Sequence, residues 1–475
     1  MYLVVVGVLL LGLTVIPVQA ATPEDIEASI EAGLAWLVTQ QQPDGSWSPD
    51  YAPVAHTGFA LMKLCDRAYE TGYGPFDPEY EYAANVGSGF DYLFSQAIAA
   101  GVGIAFFDSW GYENYCTGIA AMAIGASRTP DRLVPTGPFA GQTYKQVLQA
   151  VVDYFAWAQT DAPAAQRGGW SYAANQDWAD QSNTGYSVLG LRYAEAGLYG
   201  FQCDVPQVVK DELTMWVNFI QRPDGGSDYD GTWDMSNLLR TGNLLFEQSF
   251  VGIAVDDSRV QAAIGYIESN WNPTPDSQTM YCLMKGFESY GIETITVGGN
   301  PVDWYDVFAD HIIATQHIDG YWDTLGWGRL LDTLFVLLTL EKFAPPPPVI
   351  EVPVDVKPMS WPNPLNANHK GVLPVAILGT ADFDVTQVDP PTVLLEGVAP
   401  LRWALEDVGT PGDPLAEPDG IMDLSLKFDT QEIVAALDPV NDGDVVVLHL
   451  TGNLKEEFSG TPIEGEDVVV IIKKR

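Results

Sequence analysis

A short pattern occurs six times along this chain and limits the folds that are open to it. The copies read HTGFALMKL, CTGIAAMAI, NTGYSVLGL, RTGNLLFEQ, QTMYCLMKG and DTLFVLLTL, with threonines at Thr57, Thr117, Thr184, Thr241, Thr279 and Thr333. An apolar helical run follows each threonine, whose hydroxyl can accept a hydrogen bond from a backbone N–H left unpaired near a helix N-terminus. An internal repeat of this kind predicts a repetitive helical architecture.

A second helical pattern precedes each of these runs. In the first and fourth copies it reads IEASIEAGLAWLVTQ and VVKDELTMWVNFIQ, with apolar residues on one face. Helices with one apolar face belong on the outside of a layer, and helices that are apolar nearly all round belong inside. Six alternations of the two types predict a mainly α fold over residues 21–344, a six-hairpin α/α toroid with two concentric rings of helices.

A glutamine, an Asp-Gly pair and a tryptophan mark the junctions between the two helix types. The motif QQPDGSW begins at Gln41, and QHIDGYW begins at Gln316. The glycine can take the left-handed conformation that ends a helix, and the tryptophan is expected to pack beside the junction. Gln221 with Asp224-Gly225 repeats the start of the motif, and Trp170 and Trp233 look like degraded copies of its end.

Gln-x-x-x-Gly-x-Trp before a Thr-led helix resembles the repeat of the terpene cyclase and protein prenyltransferase toroid superfamily, which includes the squalene-hopene cyclase-like proteins. The resemblance extends from about residue 24 to residue 343 and implies the toroid fold. The Asp-x-Asp-Asp acid of the protonating cyclases is missing, with Asp256-Asp257 the nearest approach. His56 stands before Thr57 as a zinc ligand does in the prenyltransferases, but their Asp-x-Cys pair is missing, so no zinc is expected. The resemblance therefore predicts the fold but does not predict an activity.

The inner helices of such a toroid run parallel, so the residues just before the six threonines should meet at one mouth. These residues are His56, Cys116, Asn183, Arg240, Gln278 and Asp332. Polar side chains beside six helix N-termini, where backbone N–H groups are free, predict a site for an oxygen-rich ligand. The alternative is that they are solvated loop ends.

The loops that lead to this mouth are rich in Trp, Tyr, Asp and Asn, as in GGWSYAANQDWADQSN and DGYWDTLGWGRLLD. Aromatic faces beside carboxylates and amides are typical of neutral-sugar sites, which makes Trp178, Trp233 and Trp327 ligand-binding candidates. A glycosidase would need two carboxyl groups about 5–10 Å apart. The catalytic candidates are Asp180, Asp332 and Asp234, with Asp177 and Asp323 nearby, and their spacing does not select a pair. Aromatic residues that plug the toroid and acids that line its rim are the alternative.

The pattern changes at FAPPPPVIEVPVDVKP, where four consecutive prolines predict a stiff linker over residues 345–352. Strand-like runs then predict a small all-β sandwich-like domain over 353–475. Through KGVLPVAILGTADFDVTQVDP and RWALEDV it resembles an accessory module of secreted microbial proteins, which implies attachment. Oxygen ligands gather at Asp407, Asp413, Asp419 and Asp423, with Glu417 between them, and make calcium a candidate cofactor against a plain acidic loop.

The first twenty residues, MYLVVVGVLLLGLTVIPVQA, predict a signal peptide that is cleaved near Ala20. No Lys or Arg precedes the apolar run, so an uncleaved membrane anchor is the alternative. The formal net charge of −41 disfavours nucleic acid and anionic membranes as partners. We therefore expect a secreted or cell-surface protein whose partner is an extracellular glycan or a surface protein, and which meets a membrane only through an uncleaved signal segment.

The four cysteines do not form a metal or disulfide pattern. Cys116 and Cys282 are expected on opposite walls of the toroid, whereas Cys65 and Cys203 could approach each other, and free or structural thiols are favoured for all four. Three functions stay open at this point. They are the binding or degradation of a neutral glycan, a non-catalytic surface scaffold, and isoprenoid cyclisation or transfer.

Overall fold

The structure is a computed structural model that describes residues 20–48, 52–107, 111–161, 164–232, 235–342, 350–380, 383–409, 418–437, 440–455 and 462–473. The expected signal segment lies outside these ranges except for Ala20, and so do residues 345–349 of the expected linker. None of the helices in the described ranges combines the length and the apolar character that crossing a bilayer requires.

Twelve described helices precede the linker. They are α1 (Pro23–Val38), α2 (Pro53–Glu70), α3 (Ala83–Ser95), α4 (Glu113–Ala126), α5 (Tyr144–Ala158), α6 (Gln181–Glu195), α7 (Gln207–Ile220), α8 (Leu238–Phe250), α9 (Ser258–Ser269), α10 (Ser277–Glu288), α11 (Trp304–Thr315) and α12 (Arg329–Leu340). The even-numbered helices carry the six threonines and are buried along most of their length, whereas the odd-numbered helices bury one face. The predicted division into two helix types is confirmed.

The even-numbered helices form a closed ring. Each packs on the next, from α2 through α4, α6, α8 and α10 to α12, and α12 packs back on α2. Odd-numbered helices lie outside this ring, with α3 against α2, α5 against α4 and α6, and α7 and α9 against α8. The helical part of the chain is thus an α/α toroid with one continuous hydrophobic core.

Two short hairpins interrupt the helices, β1 (Ala97–Ala100) with β2 (Gly103–Phe106), and β3 (Thr294–Val297) with β4 (Asn300–Asp303). The second outer helix was expected over the pattern VGSGFDYLFSQAI. Helix α3 stops earlier, at Ser95, and the last residues of the pattern belong to β1. Gly101, at φ +57°, makes the turn of this hairpin.

The glutamine of the junction motif joins one helical unit to the next. The side-chain amide of Gln41 donates to the carbonyl of Gly45 at 3.0 Å and to the carbonyl of Asn85, in outer helix α3 of the following unit, at 2.9 Å. Gln159, Gln221 and Gln316 make the same two kinds of bond, to Val209 in α7, Arg259 in α9 and Ser29 in α1. The last of these bonds closes the ring.

The glycine of the motif is required for two reasons. Gly45 has φ +92° and Gly320 has φ +97°, both in the left-handed region that favours glycine. A Cβ on Gly45 would lie 2.1 Å from the carbonyl oxygen of Ser88 in α3, and one on Gly320 would lie 2.2 Å from that of Ala32 in α1. The junction turn therefore touches the backbone of the next outer helix.

The repeated threonines do not cap their helices as the sequence led us to expect. Thr57 lies inside α2, and its hydroxyl accepts the backbone N–H of Trp47 at 2.9 Å, while the indole N–H of Trp47 donates to the carbonyl of Leu37. Trp170 and Trp322 are held in the same way by Thr184 and Thr333. The hydroxyl thus fixes the junction loop on the inner helix, and the buried indole fills the space between the two rings.

The fourth unit has a serine at the position of these tryptophans, and Trp233, which we interpreted as a degraded copy of the motif, lies outside the described residues. The backbone N–H of Ser227 donates to the hydroxyl of Thr241 at 3.1 Å, so Ser227 occupies the position that Trp47 has in the first unit. In the second unit Phe106 occupies it, through a bond to Thr117. The bond uses a backbone N–H, which explains why the side chain at this position can vary.

Strands dominate the described chain after the linker. They are β5 (Ile350–Glu351), β6 (Val354–Val356), β7 (Asn363–Asn366), β8 (Val372–Ile377), β9 (Val388–Leu395), β10 (Arg402–Glu406), β11 (Asp423–Asp429), β12 (Val445–Leu454) and β13 (Pro462–Ile472), with helix α13 (Thr430–Ala436) after β11. One sheet has the order β10-β11-β8-β6, and the other has β5-β13-β12-β9 with β7 also on β13. Residues of both sheets, such as Val375 and Leu450, share a second hydrophobic core that is separate from that of the toroid.

Candidate functional site

A cavity of about 340 Å³ opens at the N-terminal ends of the inner helices, at the mouth that the sequence predicted. We call it the mouth cavity. All six inner helices contribute to it, and so do the loops that precede five of them. Its lining residues are Ala52, Ala55, His56, Phe59, Tyr112, Tyr115, Tyr172, Ser182, Tyr229, Leu239, Arg240, Gln278, Trp327, Leu331 and Phe335.

Aromatic rings form most of this lining. Tyr112 and Tyr172 face each other with ring centroids 4.9 Å apart, and the hydroxyls of Tyr172 and Tyr229 lie 3.4 Å apart. Trp327 stands at the rim, half-exposed, and its indole N–H donates to the carboxylate of Asp276 at 2.9 Å. The walls therefore offer flat faces together with hydroxyl groups.

The floor of the cavity is made by side chains from inside the ring. Phe59 of α2 and Phe335 of α12 are buried, with ring centroids 5.2 Å apart, and Phe59 also contacts the rings of Tyr186 and Tyr281 edge-on. Each of these four residues stands two positions after one of the repeated threonines. The side chains at this position, two residues after the threonine, fill the centre of the helix ring below the mouth.

Arg240 is the one permanently charged side chain among the described residues that line the cavity. Burial lowers the pKa of its guanidinium, although the nearby phenol of Tyr229 and the carboxyls of Asp228 and Asp180 oppose this change. The guanidinium lies over the ring of Tyr229, 5.0 Å from its centroid. This arrangement positions N–H donors toward the cavity beside an aromatic face.

Two further polar side chains are held at the wall. The amide of Gln278 donates to the hydroxyl of Tyr186 at 3.1 Å. Nδ1 of the buried His56 lies 3.0 Å from the carbonyl of Ala52, one helical turn earlier. Both residues were predicted to lie at the mouth, and both line it.

The sequence-predicted residues divide into three groups. His56, Arg240, Gln278 and Trp327 line the mouth cavity. Cys116, Asn183, Asp180 and Asp332 are buried and do not line it, and Trp178 lies beside it, 38% exposed, with its ring 6.1 Å from that of Tyr172. Trp233 and Asp234 lie outside the described residues.

Asp180 is the N-cap residue of α6. Its carboxylate accepts the backbone N–H groups of Ser182 and Asn183 at 2.9 Å each, and also the hydroxyl of Ser182 and the amide of Asn183. Burial raises the pKa of this carboxyl, and the four hydrogen bonds oppose the increase. The carboxylate thus caps its own helix and does not line the cavity.

Asp332 positions the loop that carries Trp327. One carboxylate oxygen accepts the hydroxyl of Ser277 at 2.6 Å and the backbone N–H of Trp327 at 3.1 Å, and the other accepts the N–H of Leu325 at 3.0 Å. The residue is fully buried. Asp332 therefore holds the rim loop from behind and does not line the cavity.

No Asp or Glu belongs to the described lining of the mouth cavity. The exposed carboxyl groups of Asp177 and Asp323 do not reach it either. The pair of carboxyl groups that two-carboxylate hydrolysis requires is thus not found among the described lining residues.

Sequence reasoning missed much of the aromatic lining. Tyr112, Tyr172 and Tyr229 belong to the aromatic loops that were expected at the mouth, but they were not singled out. Phe59 and Phe335 were hidden in apolar runs, where a core side chain and a cavity side chain look the same. The signal that identifies them is their constant position, two residues after the repeated threonine.

The described residues contain no group of three or more His, Cys, Asp or Glu side chains arranged to hold a metal ion. Asp423 is buried, and both of its carboxylate oxygens accept backbone N–H groups, from Gly379, Val408 and Gly409. Asp407 and Asp419 accept the N–H groups of Gly420 and Ile421. Asp413 lies outside the described residues, so calcium in this loop stays a prediction.

All four cysteines are buried, and none of them is in a disulfide bond. Burial raises the pKa of the thiols of Cys65, Cys203 and Cys282, to about 12 for Cys203. None of the four lines the mouth cavity, and the possible approach of Cys65 to Cys203 does not produce a disulfide bond.

No protein-family model matches the sequence, and no curated protein matches it. Among solved structures, the chain is similar to the type II terpene cyclase MstE from Scytonema, at 12% identity and a TM-score of 0.40 over 67% of this chain and 98% of the cyclase. It is similar to a family 76 glycoside hydrolase from a bovine Bacteroides thetaiotaomicron strain, at 12% identity and a TM-score of 0.46 over 67% and 77% of the two chains. It is also similar to Candida albicans protein geranylgeranyltransferase-I, at 11% identity and a TM-score of 0.41 over 66% and 90%.

Proposed function

We propose that the protein binds a neutral glycan in the mouth cavity. One observation carries this proposal, namely that seven aromatic side chains line a single cavity at the N-terminal ends of the inner helices. Flat aromatic faces pack against the C–H faces of sugar rings, and a cavity of about 340 Å³ has room for one or two such rings. The remaining units of a longer chain would extend past Trp327 at the rim.

The polar groups of the cavity favour a sugar over a hydrocarbon. Four of the seven rings are tyrosines, and Ser182, Gln278 and Arg240 add further hydrogen-bonding groups. A purely hydrocarbon ligand would cover these polar groups and offer them no hydrogen bond, which costs free energy. A sugar carries hydroxyls around its ring that can pair with them.

Binding is favoured over hydrolysis because the described lining lacks carboxyl groups. Asp180 and Asp332, the acids closest to the mouth in the sequence pattern, hold a helix N-terminus and a loop instead. Neutral glycans are favoured over anionic ones because the net charge of −41 repels polyanions. The proposed role is therefore that of a glycan-binding toroid without two-carboxylate chemistry.

A second candidate is the binding of an isoprenoid. The floor and one side of the cavity are apolar, formed by Phe59, Phe335, Leu239 and Leu331, and could take a hydrocarbon chain. The non-catalytic surface scaffold, the remaining alternative, would need no ligand in the cavity. The experiment below separates these possibilities.

We extend the proposal to the whole chain. The helical part is proposed to be a six-hairpin toroid over residues 21–344, and residues 353–475 a sandwich-like accessory module that binds calcium through the Asp407–Asp423 loop. Export through residues 1–20 would bring the cavity to extracellular glycans, with a surface protein as the alternative partner. These proposals are supported by the six repeats, the two separate cores and the apolar leader.

The test is isothermal titration of the mature chain with neutral oligosaccharides of gluco-, xylo-, manno- and chito-type, and with farnesol and geranylgeraniol. Trp327→Ala and Tyr172→Ala remove rings from the cavity. Trp157→Ala is the matched control, because Trp157 is also partly exposed but lies on outer helix α5. Loss of one stacked face should weaken glycan binding about tenfold, which corresponds to about 1.4 kcal/mol, and the control should bind as wild type.

Binding of a glycan that the cavity variants do not weaken would place it elsewhere and refute the proposal. Binding of the isoprenoid alcohols alone would establish the second candidate. If no compound of either class binds, and a surface protein is bound equally well by the Trp327→Ala variant, the scaffold role is the correct one.

A further inference from the structure

Strand β10 is at the edge of its sheet. It pairs with β11 on one side, and no strand in the described part of the chain pairs with its other side. All five of its residues, Arg402 to Glu406, are exposed. The outward-pointing N–H and C=O groups of such an edge are free to pair with another strand.

The exposed side chains of β10 include two that face the core side of the sheet. Trp403 lies opposite Leu426 of β11, and Leu405 lies opposite Leu424, and residues directly opposite each other project from the same face of a sheet. The two leucines of β11 are buried, but Trp403 and Leu405 are 45% and 47% exposed. The apolar face of the sheet therefore continues past the area that the rest of the domain covers.

The sequence of this strand is complementary to itself. Read as RWALE, it has a basic residue and an acidic residue at equal distances on either side of Ala404, and Trp403 and Leu405 immediately beside it. When two such strands run antiparallel about a twofold axis at Ala404, each Arg402 lies opposite the Glu406 of the other strand. In the same register each Trp403 lies opposite the other Leu405.

We propose that β10 pairs with β10 of a second copy of this chain, antiparallel and centred on Ala404. The two four-stranded sheets become one eight-stranded sheet with two Arg402–Glu406 ion pairs on one face. On the other face, Trp403 and Leu405 of both copies complete an apolar surface that one copy leaves half-exposed. The contact involves one short strand from each copy, so we expect a weak dimer that depends on concentration.

This dimer is independent of the mouth cavity, because β10 belongs to a sheet whose other strands contribute to the second core and not to the toroid. It would place two toroids on one assembly. Two cavities that engage one glycan chain would bind it more tightly than either cavity alone.

Sedimentation velocity of the full mature chain over a range of concentrations tests the proposal, with single charge reversals and a double exchange. Arg402→Glu and Glu406→Arg each place like charges opposite each other and should raise the dimer dissociation constant about tenfold or more. The double variant R402E/E406R restores both pairs in exchanged positions and should recover the wild-type constant. Glu464→Arg is the control, an exposed reversal on β13 in the other sheet, and should leave the constant unchanged.

Recovery in the double variant also shows that the single reversals did not act by unfolding the domain. A chain that stays monomeric at every concentration would overturn the proposal and would leave another segment or another protein as the occupant of this edge. A dimer that neither reversal weakens would overturn it as well, because its interface would lie elsewhere.

Discussion

The side-chain amide of Gln316 donates to the backbone carbonyl of Ser29 at 2.9 Å, although the two residues are 287 positions apart in the sequence. The hydroxyl of Ser29 donates back to the amide oxygen of Gln316 at 2.8 Å. Three other glutamines make the equivalent bond to the next outer helix along the chain, but this one joins the last unit to the first. Together with the packing of α12 on α2, it joins the two ends of the helical row into a ring.

We predict that Gln316→Leu lowers the free energy of unfolding by about 1–3 kcal/mol, because it leaves the carbonyls of Ser29 and Gly320 without their side-chain donor. Urea denaturation followed by tryptophan fluorescence measures the change. Gln176→Leu, at an exposed loop position, is the control and should change the free energy by less than about 0.5 kcal/mol. Equal effects of the two changes would show that the junction bonds do not stabilise the toroid.

Gly320→Ala should destabilise the chain far more than Gly291→Ala. Both glycines have positive φ, +97° and +63°, so both changes incur the left-handed penalty of about 1–2 kcal/mol. Only at Gly320 would the added Cβ also meet a carbonyl oxygen, that of Ala32 at 2.2 Å, whereas nothing lies within 4 Å at Gly291. We expect the difference between the two variants, measured from their urea midpoints, to be about 1–3 kcal/mol. Equal midpoints would argue that the turn can move away from α1 at no cost.

Thr57→Val replaces the hydroxyl that accepts the N–H of Trp47 and leaves this buried N–H without its partner. An unpaired buried donor costs about 1–3 kcal/mol. Thr39→Val also removes a hydroxyl, one that donates to the carbonyl of Trp36, but at an exposed site where water can replace it. Thermal denaturation of both variants should show a clear decrease in melting temperature for Thr57→Val only, and a decrease of the same size in both would refute the role assigned to the threonine.

The stability of the chain should decrease between about pH 4 and pH 6 because of Asp66. Burial raises the pKa of this carboxyl to about 6 from its ordinary 3.8, although the charges of Lys63, Lys285 and Arg128 oppose the change. The folded chain therefore keeps this proton where the unfolded chain has lost it. The resulting stabilisation is fully present below pH 3.8 and is lost as the pH rises through about 6.

Asp66→Asn cannot ionise and so does not undergo this loss. The difference in the free energy of unfolding, variant minus wild type, should increase from pH 4 to pH 6 and then stay constant. Denaturant titrations at several pH values give this difference, and Asp211→Asn, exposed on outer helix α7, serves as the reference. A difference that does not change with pH would contradict the proposed effect of burial.

The periodic residues of the toroid could be predicted from the sequence, because each performs the same physical task in several units. Gln41 and Gln316 stand out through their spacing to a glycine and a tryptophan, and the six threonines stand out through the apolar runs behind them. Ser227 was not recognised, because the bond to Thr241 uses its backbone N–H and does not require a tryptophan, although Ser227 stands six residues after Gln221 as Trp47 does after Gln41. A hydrogen bond made by the backbone puts little constraint on the residue type, so it is hard to detect in a sequence.

The sequence placed the candidate site at the mouth, where the structure has a cavity, but the hydrogen bonds of the acids were not predictable. A carboxylate just before a helix can cap that helix or face a ligand, and both roles place it at the same sequence position. Asp180 caps α6 and Asp332 holds the loop of Trp327, which only the hydrogen bonds reveal. The cavity-lining role of Phe59 and Phe335 could not be predicted either. A helix that is buried on all sides does not show which of its apolar residues points to the central axis of the ring.

The closure of the ring, to which the bond between Gln316 and Ser29 contributes, also determines how the toroid should unfold. An open row of repeats has two end units with one neighbour each, and such rows fray from their ends. In a closed ring every unit has two neighbours, so the first unit to detach must break two interfaces at once. We therefore expect the helical part to lack a weak end and to unfold in a single transition, so that a protease would find no terminal unit to remove first.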